Sequence, residues 1–507
     1  MAMLAPPAID AHRKRTFALT TPLALAILAL ATILLRIGSW WTEQLDWDEW
    51  SFILMGADVA HGHLPFVHQF DLKPPLIFFL FGATIALFGK SLLAIRLLGA
   101  ACVFAAASFV FLTGRRLAAP WPALGGVLLF CALASASFGL PTSSELPAVA
   151  FLSAAVWRLT TSPLRERDAA IAGVLVALAV LTRTNLALVA MIVGVTLLIA
   201  GWLPRIRVRR WAWLAFAAAG LMPPLLLVGA YAATEELATL KLAMIDVPLA
   251  YSGQLGIRQV AREHVTQFYY TAQAAPLLYG PMTLLVLAGL GAALFSYRRD
   301  PAKHWPVTLV TAVALAVTGS LLIGGAAYPH YWLQLFPFAG LFGTVALAAL
   351  HRLHAKAGYL GAALVALPLA NGFTASLPQV TASYASAHPA QQAAAYIHAT
   401  GGARPQVWAL HKHLVLWYLD APQLSRAGVH PDNLARRAII DTLAAHGYVG
   451  PDEVARLMAL RPRFVVTDAG GKGLAWVRAD GKPVDAWLAT NYRQDARFGD
   501  VLVYRCL

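Results

Sequence analysis

Long apolar runs, separated by short polar connections, follow one another along the first three quarters of the chain. The runs lie near 17–37, 75–88, 91–113, 121–140, 146–161, 168–182, 185–203, 211–233, 276–296, 305–323, 331–350 and 357–373. A helix that spans a membrane needs about 20 predominantly apolar residues, with about 17 as a practical minimum. The pattern therefore predicts an all-α polytopic bundle of membrane-spanning helices over residues 1–373.

The first apolar run follows the basic residues Arg13, Lys14 and Arg15, an arrangement that also occurs in signal peptides. The run is longer than the core of a signal peptide, which has about 7–15 residues, and no clear small-residue cleavage site follows it. We therefore expect the run to be retained as the first transmembrane helix.

Basic residues form six clusters before or between the apolar runs. The clusters are Arg13/Lys14/Arg15, Arg115/Arg116, Arg165/Arg167, Arg205/Arg207/Arg209/Arg210, Arg298/Arg299/Lys303 and Arg352/Lys356. Cytoplasmic loops carry an excess of Lys and Arg, and all six clusters share one side only if the run 75–88 does not cross. We therefore expect 75–88 to be a juxtamembrane helix at the outer interface. This leaves about eleven spans, with the N-terminus in the cytoplasm and the C-terminus outside.

The predicted topology places two long loops, 38–90 and 234–275, and everything after about 374 on the outer side. In the second loop Gly253 and Gly256 permit bending, as a lid over a substrate requires. The alternative there is an amphipathic surface helix from about 257 to 271.

The chain changes character after about residue 374. Short β-rich runs near 406–410, 464–468 and 501–504 alternate with helical patterns near 390–399 and 432–446. Alternation of strands and helices is typical of α/β folds. Residues 374–507 are therefore predicted to form a small extracytoplasmic α/β domain.

Composition supports a membrane protein and changes the meaning of the charge. Hydrophobic residues make up 59% of the 507 residues and charged residues 13%, whereas soluble domains have about 25% charged residues. The formal net charge of +14 is explained by basic cytoplasmic loops, so no nucleic-acid partner is predicted. The cysteines, Cys102, Cys131 and Cys506, have neither the number nor the spacing of a disulfide framework or a metal site.

Acidic residues are scarce in this chain but crowd into the first outer loop. The loop holds Glu43, Asp46, Asp48, Glu49, Asp58 and Asp71, which are six of the 25 acidic residues. Carboxylates at a membrane interface cost desolvation energy and are usually functional or paired. The alternative is a solvated loop that caps helices, with Asp46 or Asp48 as the N-cap residue.

Several linked motifs in this loop carry a family resemblance. Asp48-Glu49 is followed by aromatic residues, then by His61-Gly62-His63-Leu64-Pro65-Phe66, Asp71-Leu72-Lys73-Pro74-Pro75-Leu76 and Phe88-Gly89-Lys90-Ser91 with Arg96-Leu97. This order resembles the GT-C membrane glycosyltransferases of the protein-O-mannosyltransferase and aminoarabinose-transferase type. The resemblance is strongest over about 40–100. It implies the GT-C fold and a sugar donor linked to a polyprenyl phosphate.

The resemblance also implies site residues. Asp48 is expected to be the catalytic base with Glu49 beside it, and Glu145, after the small polar turn 142–144, a second acidic site residue. A lipid-phosphate leaving group needs positive charge rather than a proton. The candidates for binding the donor phosphate or the substrate are Lys73, Arg183, Asp71, His330, Tyr331, Arg258 and Arg262. The alternatives are snorkelling for Arg183 and aromatic-belt anchoring for the cluster that holds His330 and Tyr331.

A single base is sufficient for direct displacement of the phosphate, which inverts the anomeric centre. Together with the resemblance, this predicts an inverting glycosyltransferase in a bacterial inner membrane that acts on a hydroxyl of lipid A or its core, another glycolipid, a glycan or a protein. The outer-loop carboxylates offer oxygen ligands for a divalent cation, but the resembled families are metal-independent, and neither a metal nor another cofactor is predicted. The alternatives are a flippase for lipid-linked saccharides and an inactive membrane scaffold.

Overall fold

The computed structural model describes residues 19–203, 206–252, 256–299, 305–353, 355–385, 388–402, 404–471, 477–479 and 482–507. Of the predicted basic residues, Arg13, Lys14, Arg15, Arg205 and Lys303 lie outside these ranges, as does Gly253 of the second outer loop.

The N-terminal three quarters of the described chain are helical. The helices are α1 (Thr21–Arg36), α2 (Trp47–Ala60), α3 (Leu76–Phe88), α4 (Leu92–Leu117), α5 (Pro120–Ala134), α6 (Glu145–Leu159), α7 (Glu166–Thr182), α8 (Ala187–Trp202), α9 (Ala212–Gly220), α10 (Met222–Ala233), α11 (Leu237–Lys241), α12 (Val247–Ser252), α13 (Ile257–Ala274), α14 (Pro276–Arg299), α15 (Trp305–Ile323), α16 (Phe336–Leu353) and α17 (Ala355–Ala385).

Eight helical stretches of the described residues are long and apolar enough to cross a membrane. They include α1, α4, α14, α15 and α16, and α9 with α10 forms a single candidate span over Ala212–Ala233. Helices α5, α6 and α7 lie on three more of the predicted spans but have only 15, 15 and 17 residues. A polytopic helical bundle is therefore confirmed, whereas the crossing of α5, α6 and α7 stays a prediction.

Helices α2 and α3 pack closely against each other beside the bundle. A Cβ atom on Gly82 would lie 2.6 Å from Val59, and one on Gly56 would lie 2.6 Å from the Cβ atom of Phe81, so glycine permits the close approach of the two helices. With 13 residues, α3 is too short to span a membrane. This length agrees with the predicted juxtamembrane helix at 75–88.

Three of the basic connections meet at one end of the bundle. The Arg116 guanidinium donates to the Thr160 hydroxyl at 2.7 Å, Arg158 pairs with Asp168 at 3.4 Å, and the backbone of Leu164 pairs with the 207–209 segment. The connections around 115, 165 and 207 thus share one end, as the positive-inside rule requires of loops on one side of a membrane.

The C-terminal region combines short helices with a mixed sheet. The helices are α18 (Pro389–Gly401), α19 (Leu414–Leu419), α20 (Pro431–Ala435), α21 (Arg437–Ala445), α22 (Glu453–Leu460) and α23 (Asp485–Asn491). The strands are β1 (Val407–Ala409), β2 (Phe464–Asp468), β3 (Arg478–Ala479), β4 (Lys482–Pro483), β5 (Tyr492–Phe498) and β6 (Val501–Cys506). The sheet has the order β1-β2-β6-β5, with β1 and β2 parallel and the other pairs antiparallel, and β3 pairs with β4.

The predicted α/β character of the C-terminal region is confirmed, since each β-rich run forms a strand. Helix α17 continues to Ala385, beyond the predicted domain boundary at 373. The sheet region also shares one apolar core with helices α2 and α3 and the segment between them, and this core includes Trp50, Phe70, Trp408 and Trp417. The candidate site residues on α2 and on the segment before α3 are therefore covered by the C-terminal region.

Candidate active site

An N-cap residue at the start of helix α2 precedes Asp48, which lines a cavity. The Asp46 side chain is the N-cap and accepts a hydrogen bond from the Asp48 amide at 2.9 Å. Helix capping, the alternative considered for Asp46 or Asp48, is therefore observed for Asp46. An N-cap satisfies amides that the first helical turn leaves unpaired. Asp48 then sits in the first turn, where the helix dipole favours a negative charge.

The Asp48 carboxylate lies between two basic side chains. Its Oδ2 atom is 2.8 Å from the Lys73 Nζ, and its Oδ1 atom is 3.2 Å from the Nε2 of His430. Burial opposes ionisation, but Lys73 and His430 hold the pKa of Asp48 well below its usual value. Although burial also opposes the charge of Lys73, Asp48 and Asp71 hold its pKa above the usual value. The site therefore contains a largely buried ion pair between Lys73 and Asp48.

Two neighbouring carboxyl groups, unlike that of Asp48, have raised pKa values. Burial, followed by the charge of Asp48, raises the pKa of Asp46 to about 7, and burial raises the pKa of Asp71. Asp71 Oδ1 accepts a hydrogen bond from the Lys73 amide at 3.0 Å, which is the geometry of an Asx turn. Asp71 therefore shapes the backbone that presents Lys73.

A second ion pair lies on the bundle side of the cavity. The Arg183 guanidinium is 3.1 Å from Oε1 of Glu145, and it also lies 4.5 Å from the ring centroid of Tyr331. His330 approaches the same carboxylate at 3.9 Å, and burial lowers its pKa. Glu145 is fully buried at the start of α6. It therefore holds Arg183 at the break between α7 and α8.

A cavity of about 750 Å³ joins these groups. The predicted site residues that line it are Asp48, Asp71, Lys73, Arg183, His330 and Tyr331. Glu145 is one side chain behind the wall, in contact with Arg183. The structure thus brings seven of the ten predicted residues together around one space.

Three predicted residues lie elsewhere. Glu49 turns into the protein interior, where it pairs with Arg96 and accepts a hydrogen bond from the Thr142 amide at 2.6 Å. The reason is helical geometry, because successive side chains on a helix point about 100° apart. Arg258 and Arg262 lie exposed on α13, away from the cavity lining. Their contact with the donor phosphate stays a prediction.

The cavity also has lining residues that the sequence analysis did not select. They include His430, Asp432 and Asn433, which come from the C-terminal region, and Asn185, Tyr251 and Tyr328 from the bundle side. His430 lies 382 positions after Asp48 along the chain, and no local spacing links the two. The only local signal is the His-Pro-Asp sequence at 430–432, which marks a helix start.

The predicted lid region contributes one wall of the cavity. Residues 237–252 form α11, a π-helical turn over Leu242–Asp246 and α12. Tyr251 of α12 lies 5.2 Å from the Arg436 guanidinium, which donates to the Tyr328 hydroxyl at 2.8 Å. The alternative, an amphipathic helix, describes the following segment, since α13 covers Ile257–Ala274. Closure of a lid stays a prediction.

Asp58, His63 and His68 are the one group among the described residues with side chains placed to hold a metal ion. The Asp58 Oδ1 atom lies 2.8 Å from Nδ1 of His63 and 3.2 Å from Nδ1 of His68. Hydrogen bonds from the two imidazoles to one carboxylate explain this geometry. The group lies outside the cavity lining, so no step of the chemistry is assigned to it.

Comparisons with known proteins place this geometry in a known fold. Residues 72–227 match the family described as dolichyl-phosphate-mannose-protein mannosyltransferase. The comparison with curated protein sequences gives no match. The crystal structure of ArnT from Cupriavidus metallidurans bound to undecaprenyl phosphate is similar, with a TM-score of 0.64 and 15% identity over 96% of this chain and 98% of that chain. The chain has the fold of the GT-C glycosyltransferases.

A more distant GT-C structure agrees. The archaeal oligosaccharyltransferase AglB from Archaeoglobus fulgidus, in complex with an inhibitory peptide and a dolichol-phosphate, has a TM-score of 0.54 and 12% identity over 95% of this chain and 74% of that chain. The predicted resemblance and fold class are confirmed. The family match begins at Leu72, so it includes Lys73, Glu145 and Arg183 but neither Asp48 nor His430. The roles of those two residues therefore depend on the geometry of this chain.

Proposed function

We propose that the protein is an inverting glycosyltransferase that moves a sugar from a polyprenyl-phosphate donor to a hydroxyl acceptor. The observation that carries the proposal is the cavity in which Asp48 lies against Lys73 while Arg183 lines the same space. Such a transfer requires a base for the acceptor and positive charge for the phosphate. The GT-C fold supports the proposal, since the ArnT structure holds undecaprenyl phosphate and the AglB structure holds a dolichol-phosphate.

Lys73 and Arg183 are the proposed ligands of the donor phosphate. Both are largely buried but open to the cavity, with side chains 17% and 8% exposed. A guanidinium offers paired donors for phosphate oxygens, whereas an ammonium acts as a point charge. Glu145 is the proposed positioning residue for Arg183, because its carboxylate fixes one side of the guanidinium. His330 and Tyr331 are proposed to border the phosphate or the sugar.

The proposed reaction is a single displacement at the anomeric carbon. Asp48 takes the proton of the acceptor hydroxyl as the acceptor oxygen forms its bond to the anomeric carbon. The bond from that carbon to the phosphate oxygen breaks, and its electron pair leaves with the polyprenyl phosphate. Lys73 and Arg183 stabilise the negative charge that develops there. Attack opposite the phosphate inverts the configuration, and no covalent sugar–enzyme bond forms.

Donor binding is proposed to activate the base. In the resting site Lys73 is engaged by Asp48 at 2.8 Å, and a carboxylate with a lowered pKa is a weak base. A donor phosphate competes for the same ammonium group. Withdrawal of Lys73 toward the phosphate makes Asp48 more basic, so deprotonation of the acceptor follows donor binding.

We propose the bacterial inner membrane as the location, with the cavity and the C-terminal region on the periplasmic side. The support is the position of the basic connections around 115, 165 and 207 at one end of the bundle, together with the positive-inside rule. A hydroxyl of lipid A or its core, another glycolipid, a glycan or a protein is the proposed acceptor. Membrane lipids surround the helical bundle, and nucleic acid has no role.

The test is incubation of the purified full chain with a panel of polyprenyl-phosphate sugars and hydroxyl acceptors. We expect one donor to be consumed, and the product to have the opposite anomeric configuration by NMR. Retention of configuration contradicts single displacement. Movement of intact lipid-linked sugar across vesicles without transfer contradicts the enzyme and favours a flippase.

A further inference from the structure

We propose that His430 is a positioning residue for the Asp48 carboxylate, so that the C-terminal region completes the active site. The inference rests on the proposed function, because it assigns a role next to the proposed base. It depends on four observations: the contact between the two side chains, the hydrogen bond on the other ring nitrogen, the anchoring of the segment that carries His430, and the place of Lys73.

The two ring nitrogens of His430 have different partners. Nδ1 accepts a hydrogen bond from the Asp432 amide at 3.1 Å, which makes His430 the N-cap of α20. A nitrogen that accepts from an amide carries a lone pair, so the ring proton lies on Nε2. Nε2 faces Oδ1 of Asp48 at 3.2 Å and donates to it. The helix cap therefore fixes the tautomer that the Asp48 contact needs.

The segment around His430 is attached to both elements that build the site. On α2, the Ser51 hydroxyl donates to the Val429 carbonyl at 2.9 Å. On the segment before Lys73, the Asn433 amide donates to the Phe70 carbonyl at 2.8 Å, and the Phe70 amide donates to the Arg426 carbonyl at 2.7 Å. Hydrogen bonds on both sides of residue 430 restrict the motion of the imidazole relative to Asp48.

The contact has a consequence for the reaction. In the resting site one oxygen of Asp48 is held by Lys73 and the other by His430. When Lys73 moves to the donor phosphate, His430 stays with the carboxylate, since its own anchors do not involve the donor. A base that keeps its orientation needs no rearrangement when the acceptor arrives. Loss of His430 should therefore lower kcat and leave the donor KM nearly unchanged.

Two conservative substitutions separate the roles of the two ring nitrogens. An Asn side chain reaches the position of Nδ1, so His430→Asn keeps an acceptor for the Asp432 amide and removes the donor to Asp48. A Gln side chain reaches the position of Nε2, so His430→Gln keeps that donor and removes the cap. His398→Asn, on the exposed surface of α18, serves as the matched control.

We expect His430→Asn to lower kcat about 10²-fold, the cost of a misplaced catalytic group, with little change in donor KM. His430→Gln should recover most of that loss, and His398→Asn should behave as the wild type. The opposite order, with Gln inactive and Asn active, assigns His430 to the helix cap alone and overturns the proposal. Equal activity of both variants and the wild type also overturns it.

Absence of sugar transfer by the wild type would contradict the proposed function and not the contact between His430 and Asp48. A second measurement therefore tests that contact without using activity. Thermal unfolding of His430→Asn, Asp48→Ala and the double variant tests the contact without activity, since Ala removes the oxygen that accepts from Nε2. Residues in direct contact give non-additive effects, so the double variant should lose less stability than the two single losses together. Additive losses contradict the contact and the proposal.

Discussion

Two charged clusters lie one residue apart at the start of α2, and they differ in what surrounds them. The Asp48 cluster, with Lys73 and His430, lines the cavity, and its side chains are 11–17% exposed. The Glu49 cluster pairs Glu49 with Arg96, and both side chains are at most 1% exposed. One cluster can exchange a partner with a ligand, and the other cannot.

This difference in surroundings supports different proposed roles for the two adjacent carboxylates. Glu49 accepts from Arg96 and from the Thr142 amide, so it joins α2 to α4 and to the turn before α6. Arg36 donates to the Gly139 and Leu140 carbonyls at 2.6 and 2.8 Å, which ties α1 to the same turn. This interior network joins helices α1, α2 and α4 to the turn before α6, whereas the Asp48 carboxylate, the proposed base, lines the cavity.

The largest expected effect is the loss of activity in Asp48→Asn. The amide cannot accept the acceptor proton, and general-base catalysis contributes about 10²–10⁴-fold. Sugar transfer, measured by donor consumption, should fall by that factor, while thermal unfolding in detergent shows a folded protein. Unchanged transfer removes Asp48 from the mechanism.

Glu49→Gln should affect stability before chemistry. Removal of one partner leaves the Arg96 charge buried and uncompensated, which costs about 3–5 kcal/mol. The control is Asp168→Asn at the other end of the bundle. Its partner Arg158 is 36% exposed, and exposed pairs contribute about 0–1 kcal/mol. Equal unfolding temperatures for the two variants contradict a structural role for Glu49.

Lys73→Gln should weaken the use of the donor. A hydrogen bond to a charged group contributes about 1.5–3 kcal/mol, so kcat/KM for the donor should fall about 10-fold to 100-fold. Steady-state kinetics at varied donor concentration measure this change. The same substitution in Lys90, which pairs with the exposed Asp420, is the control. A kcat/KM for the donor that does not change contradicts a phosphate contact.

The pH profile of Lys73→Gln should move in a defined direction. Lys73, followed by His430, opposes the effect of burial and holds the pKa of Asp48 below its usual value. Loss of the ammonium destabilises the carboxylate and raises that pKa, so the base form is lost at higher pH than in the wild type. Measurements of kcat/KM from about pH 4 to 8 report the free enzyme. An acid limb that stays in place, or moves down, contradicts the coupling.

The smallest effect is expected for Arg258→Ala and Arg262→Ala. Both residues are exposed on α13, away from the cavity lining. Exposed substitutions of this kind usually have small effects, so transfer rates should change less than about twofold. A large rise in donor KM in either variant would instead support the prediction that Arg258 or Arg262 binds the donor phosphate.

Much of the architecture followed from local patterns in the sequence. Apolar runs predicted the bundle helices, and the short run at 75–88 predicted α3. The alternating pattern after 374 predicted strands such as Phe464–Asp468. The cavity was less predictable. Lys73 and Asp48 share one loop and could be linked by motif, whereas Glu49 shares the same motif and points into the interior. Only the position of each residue on the α2 surface separates the two.

By itself, the sequence determined a polytopic helical protein, its α/β C-terminal region and the loop that bears Asp48 and Lys73. Hydrophobic periodicity and scarce charge are local properties, and they can be read without coordinates. The tertiary structure decided which carboxylate faces the cavity, which basic groups meet it, and that His430 reaches Asp48 from 382 residues away. These contacts come from the packing of the C-terminal region on helices α2 and α3, and no local pattern in the sequence encodes contacts between residues so far apart.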